Sequence, residues 1–235
     1  MTPETPFLLP SIFDYTATFV WALSSALLAA RRGYAILGIA TLALVCSTGG
    51  GLLRDSVFIQ NGPPALLRSP DYLWLIAVAV CMVMVAGRRV DRIPHLSSGV
   101  MLIDAIGLGA YAVVGMDRAL AAGISLPGVV LVGMVNAVGG GVIRDVLINH
   151  EPAMFKPGTL EESLALIGCI LFLVLTQFLS VTQLTAAWVT IGVVFFVRLG
   201  AIRFQIESRP LKDFESYWSS ASSDWRETKR EKVKK

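Results

Sequence analysis

The chain has 235 residues, 54% hydrophobic and 16% charged, with a formal net charge of +3. This balance excludes an ordinary soluble domain, and the small charge singles out no class of partner, so no nucleic acid is expected. The apolar residues fall in blocks long enough to cross about 30 Å of hydrocarbon, which predicts an all-α integral membrane protein.

Hydrophobic patterning predicts seven transmembrane helices. The first covers 13–30, holds Asp14 near its start and ends before Gly33. The second, 34–59, contains Ser47, Thr48, Gly49, Gly50 and Gly51, then Arg54 and Asp55, and is stopped by Asn61-Gly62-Pro63-Pro64. The third, 71–87, starts after Ser69-Pro70, a cap residue before a first-turn proline. The fourth, 98–118, contains Asp104, and Gly123 follows its end. The fifth, 126–149, contains Asn136, Gly139, Gly140 and Gly141, then Arg144 and Asp145. Thr159 and Glu162 form a capping box for the sixth, 160–179. The seventh, 184–204, holds Arg198, which is expected to snorkel to the surface.

The positive-inside rule orients these spans. With the N-terminus outside, the inner loops hold Arg31, Arg32, Arg88, Arg89, Arg92 and Lys156, and the outer loops only Arg68 and Arg118. The segment 205–235 is then cytoplasmic and ends WRETKREKVKK. Phe214, Trp218, Ala221 and Trp225 fall on one face of a short helix there, which suits either interfacial anchoring or a solvated tail. The N-terminus has no basic stretch before its first apolar run, so no cleavable signal peptide is expected. Cys46, Cys81 and Cys169 lie in separate apolar blocks and read as small buried hydrophobes. His95 and His150 lie far apart in loops, so no metal centre and no cofactor is expected.

Segment 14–55 aligns without a gap on 104–145. Identities fall at Asp14/Asp104, Ala22/Ala112, Ala29/Ala119, Gly33/Gly123, Gly38/Gly128 and Val45/Val135, and GGGxxRD at 49–55 recurs at 139–145. The domains are thus a three-helix repeat at 13–87, a second at 98–179, the seventh helix at 184–204 and the tail at 205–235. An odd number of helices per copy makes the repeats inverted in the membrane, with a site where they meet at mid-depth.

Each glycine inside a helix costs about 1 kcal/mol relative to alanine, so a triplet costs roughly 3 kcal/mol per copy. One reading is a functional kink in the second and fifth helices, freeing carbonyls of Gly49–Gly51 and Gly139–Gly141 toward a potassium path. Ser47, Thr48 and Asn136 would then add oxygen ligands. The other reading is close helix packing. Arg54 and Arg144 are deep in apolar sequence, where charges face the bundle interior. Adjacent helical positions point about 100° apart, so Arg54 is not expected to pair with Asp55, nor Arg144 with Asp145. Pairing across helices is expected instead, Arg54 with the carboxylate of one copy's first helix and Arg144 symmetrically. Asp104 is the stronger candidate for an arginine partner or for cation attraction, while Asp14 also reads as a simple helix start. These six charges form an intramembrane network, either a structural lock or a pore lining.

A tandem three-helix repeat with GGGxxRD in the second helix of each copy, plus a seventh helix, resembles the prokaryotic trimeric intracellular cation channels. The likeness covers 13–204. It implies a homotrimer in the cytoplasmic membrane of a prokaryote, each subunit with its own pore lined by the kinked second and fifth helices and permeable to potassium and other monovalent cations. Animal members carry a lysine-containing motif at the bend of the fifth helix, where this chain has NAVGGGVIRD. Their regulation therefore does not transfer. Bacterial proteins with the same doubled motif also look like transporters of glycine or a similar small neutral solute, the alternative function. No enzyme is expected: His150-Glu151 lacks metalloprotease spacing, and there is no phosphate loop or nucleophile elbow.

Overall fold

The computed structural model describes residues 11–86, 96–152, 155 and 161–204, with backbone alone for 96–103 and 161. The described residues form eight α-helices: α1 Ile12–Arg31, α2 Ile36–Leu53, α3 Ala65–Arg68, α4 Asp71–Ala86, α5 Leu96–Ala121, α6 Leu126–Leu147, α7 Glu161–Leu173 and α8 Gln183–Arg203. Arg54–Ile59 continues α2, and Val174–Phe178 continues α7, both with π-helical winding. Four segments are long and apolar enough to cross a membrane: Ile12–Arg31, Ile36–Ile59, Leu126–Leu147 and Gln183–Arg203. Asp71–Ala86 and Glu162–Phe178 are shorter apolar helices.

The hairpins α1–α2 and α5–α6 are built alike. Gly33 and Gly123 both have φ +74°, a left-handed conformation that glycine adopts freely. Gly33 N–H donates to Ala30 O and Tyr34 N–H to Ala29 O, and Gly123 and Ile124 do the same to Leu120 and Ala119. This is the Schellman closure of a helix C-terminus. The far end of α2 differs from that of α6. Left-handed Gln60 ends the first and left-handed Asn149 the second, one position short of the spacing that holds elsewhere. The wider π turns of 54–59 accommodate the additional residue.

The short helix α3 was not expected; Pro64 caps it after the Asn61–Pro63 turn. At α4, Ser69 Oγ accepts from Asp71 N–H at 3.2 Å. Thr159 of the predicted capping box, His95, the loop cations at 88, 89, 92 and 156, and the tail at 205–235 lie outside the described residues.

Small residues bring the helices together: Ala17, Ala22, Ala26, Ala29, Ala43 and Ala79 are all fully buried. One apolar core joins α1 to α5, α6, α7 and α8; the other joins α1, α2 and α4. Leu37, Trp74, Val85 and Phe196 point outward, as side chains facing lipid do. Cys46 and Cys169 are buried, whereas Cys81 is exposed on this outer face, correcting the expectation that all three are interior.

Candidate functional site

The glycine triplets meet where α2 crosses α6. A Cβ on Gly50 would lie 2.2 Å from Asn136 O, and one on Gly140 would lie 2.1 Å from Cys46 O. Positions 50 and 140 correspond in the repeat, as do 46 and 136, so each copy makes the same contact to the other. Between them, a Cβ on Gly139 would sit 3.3 Å from Gly50 Cα. This supports the close-packing reading of the triplets. Both triplets run through uninterrupted α-helix, and Arg54 N–H donates to Gly50 O and Gly51 O. The backbone closes to a contact no side chain allows, which gives the missing Cβ atoms a purpose. The irregular winding begins only at Arg54.

The expected oxygen ligands are also engaged within the protein. Ser47 Oγ and Thr48 Oγ1 donate to Leu44 O at 3.3 and 2.7 Å. Asn136 Nδ2 donates to Tyr111 O at 2.6 Å, and its Oδ1 accepts from Arg54 Nη1 at 3.4 Å.

Two charge clusters flank the crossing. In the first, Arg54 is 1% exposed and its Nη2 lies 3.8 Å from Asp14 Oδ2. Arg54 also holds its own neighbour, Nε to Asp55 Oδ1 at 2.7 Å and Nη2 to Oδ2 at 3.2 Å. Asp14 Oδ2 further accepts from Tyr72 Oη at 2.8 Å and Arg118 Nη2 at 3.0 Å. In the second cluster, Arg144 Nη1 lies 3.7 Å from Asp104 Oδ2 and Nε lies 3.2 Å from Asp145 Oδ1.

Three expectations are corrected here. Arg54 and Asp55 pair, as do Arg144 and Asp145, because the arginine stem is long enough to curl back over the angle between neighbouring positions. Arg118 is no simple loop charge, since it reaches back to Asp14. Arg198 does not snorkel: it is 4% exposed and lines a cavity with Asp104 and Arg144.

Two aromatic residues, matched in the repeat, separate the clusters. Trp21 and Tyr111 are both buried, their rings edge to face with centroids 6.2 Å apart. Tyr111 Oη donates to Ser47 O and also contacts Thr18 Oγ1 at 3.0 Å. Arg144 stands over the Trp21 ring at 5.8 Å. On the Tyr111 side is a cavity of about 20 Å³ that includes Asp14, Thr18, Ser47, Thr48, Arg54 and Tyr72 in its walls. On the Trp21 side is one of about 10 Å³, lined by Asp104, Ala105, Leu108, Arg144 and Arg198. Each has room for about one water. A larger cavity of about 240 Å³ opens at the rim formed by the α2–α3 turn, and Asp55 lines both it and the Tyr111-side cavity.

Sequence reasoning missed Thr18, Trp21, Tyr72, Tyr111 and Arg118. The pairing of Trp21 with Tyr111 was detectable as an aromatic match in the repeat, although not as an identity.

The comparisons with known proteins agree with this architecture. A family model described as "Glycine transporter" matches twice, at 11–88 and 101–177. The chain is 35% identical to a UPF0126 membrane protein of Deinococcus radiodurans over 66% of the chain and 71% of the relative. It is 30% identical to the UPF0126 inner membrane protein YadS of Escherichia coli, over 83% of the chain and 92% of the relative. Among solved structures, the chain is similar to one described as "Structural basis for conductance through TRIC cation channels", with TM-score 0.75, 29% identity, and coverage of 87% of this chain and 98% of that one. The trimeric intracellular cation channel orthologue from Rhodobacter sphaeroides shares the fold at TM-score 0.74 and 24% identity, over 83% and 97% of the two chains. The chain is an integral membrane protein. It belongs to the bacterial glycine-transporter family of membrane proteins, which has the fold of the trimeric intracellular cation channels.

Proposed function

We propose that this protein is a passive channel for potassium and other monovalent cations in the inner membrane of a prokaryote. In this reading seven helices cross the bilayer, and the two three-helix repeats cross it in opposite senses. The N-terminus is outside and the tail cytoplasmic. By likeness to the trimeric cation channels, three copies assemble, each with its own path.

The observation that carries the proposal is the pair of polar cavities on either side of Trp21 and Tyr111, each with an Asp–Arg pair in its wall. The path runs beside the α2–α6 crossing, from the rim cavity past Asp55 and Asp14, then past the aromatic pair to Asp104 and Asp145. Arg54 and Arg144 are held by carboxylates, so their charge does not stand alone in the path. At about one water's volume per cavity, this arrangement is the closed form. Trp21 Nε1 has no hydrogen-bond partner among the described residues.

A second reading, a carrier for glycine or a similar small neutral solute, is favoured by the name of the matching family model. Paired repeats around a central site suit a carrier as well. Proteoliposomes loaded with potassium separate the two. A potential-sensitive dye should report rapid, non-saturating cation efflux through a channel. Saturable, current-free glycine uptake without cation leak would establish the carrier instead.

A further inference from the structure

The rim cavity carries a charge opposite to the one a cation path calls for. Its walls include Asp55, Asn61, Gly62, Arg68 and Arg118. Asp55 is already occupied: Oδ1 takes Arg54 Nε, and Oδ2 takes both Arg54 Nη2 and Ala65 N–H, the latter at 2.9 Å. Arg118 gives Nη2 to Asp14 and remains 31% exposed, with further donors of its fork to offer. Arg68 is held in place by the turn before it. Its Nη2 donates to Asn61 O, and a Cβ on Gly62 would fall 2.8 Å from that nitrogen, so glycine leaves the guanidinium room to fold over the turn. Gly62 also has φ +87°.

We infer that this cavity is a binding site for a small carboxylate, held between the guanidinium groups of Arg68 and Arg118. Guanidinium forks match the two oxygens of a carboxylate in shape and charge, and a partly enclosed cavity strengthens the pairing. The volume, about 240 Å³, admits a ligand of a few heavy atoms with its water. The carboxylate is either a simple monocarboxylate or that of a small α-amino acid. Because Ala65 N–H hangs α3 on Asp55, a ligand on Arg68 is mechanically tied to the charge cluster below. Where the channel reading holds, such a ligand also neutralises the mouth of the path.

The test is calorimetric titration of the full chain in phosphatidylcholine nanodiscs with sodium acetate at constant ionic strength, followed by glycine and methylammonium. Acetate should bind, at least fivefold more weakly in Arg68→Ala, while Arg68→Lys recovers part of the loss. Ala122→Met, which adds side-chain volume to the cavity wall, should abolish binding. Glycine competing with acetate identifies the amino-acid source, and acetate binding without glycine competition identifies the monocarboxylate; either supports the site. No acetate binding by the wild type, binding of methylammonium alone, or equal affinity in Arg68→Ala and Ala122→Met overturns it. Binding is read without current, so failure of the channel reading leaves this outcome separate.

Discussion

Alanine substitution along the first glycine triplet distinguishes a packing role from a flexible one. At Gly50 the new methyl carbon would stand 2.2 Å from Asn136 O and 3.0 Å from its carbonyl carbon, and both atoms are backbone. An ordinary carbon–oxygen contact is about 3.3 Å or more, so α2 and α6 must part locally by roughly 1 Å. Overpacking of this kind costs about 1–3 kcal/mol, and the dispersion lost along the rest of the crossing adds to it. Gly51 is the control, because its added Cβ meets only Arg54 Nη2 at 3.7 Å. There alanine recovers helix propensity of about 1 kcal/mol. The two variants should therefore differ by roughly 2–4 kcal/mol. At about 2–4 °C per kcal/mol, thermal unfolding followed by tryptophan fluorescence in detergent should separate them by on the order of 10 °C. Gly140→Ala should match Gly50→Ala, and the double variant should cost less than the sum, because one separation of the helices relieves both contacts. Gly51→Ala unfolding as early as Gly50→Ala would refute the packing account and restore the kink.

Other outcomes follow from the charge clusters and the aromatic pair. Arg54→Ala leaves Asp55 and Asp14 under-compensated in a buried site and should cost about 3–5 kcal/mol, whereas Arg144→Ala, at a position 15% exposed, should cost less; the two unfolding temperatures check this order. Arg144→Ala should also alter conductance or assembly, read by bilayer currents and by size-exclusion chromatography with light scattering. Tyr72→Phe removes one of the donors to Asp14 and should destabilise the protein by about 1–2 kcal/mol in the same unfolding assay. Tyr111→Phe, which loses the bonds to Ser47 O and Thr18, should loosen the barrier and raise basal cation leak from proteoliposomes.

Much of the fold was legible in the sequence. The apolar blocks fixed the helices to within a few residues, and Gly33 and Gly123 marked matching hairpin ends because the left-handed closure needs them. The doubled GGGxxRD placed the two crossing helices and their charges. What the triplets do was not legible, because a glycine run looks the same whether it bends a helix or lies against another backbone; only the partner, Asn136 O or Cys46 O, decides. The pairing of Arg54 with Asp55 was hidden by an argument about Cβ directions that ignored the reach of the side chain. Arg118 and Arg198 were misjudged for a related reason. Position along the span suggested a surface charge, whereas the fold turns both inward toward carboxylates contributed by other helices. The helix α3 was too short to show periodicity, and it is held by a hydrogen bond to Asp55 from ten residues earlier.

The proposed channel depends on a passive cation path beside the α2–α6 crossing, with Trp21 and Tyr111 as its barrier. Planar-bilayer recording of the purified chain under a potassium chloride gradient tests this most directly, comparing the wild type with Trp21→Ala. Unitary steps that reverse near the potassium equilibrium potential, with more time open in Trp21→Ala, are the predicted result. A silent bilayer for both proteins, alongside saturable glycine uptake in vesicles from the same preparation, would contradict it.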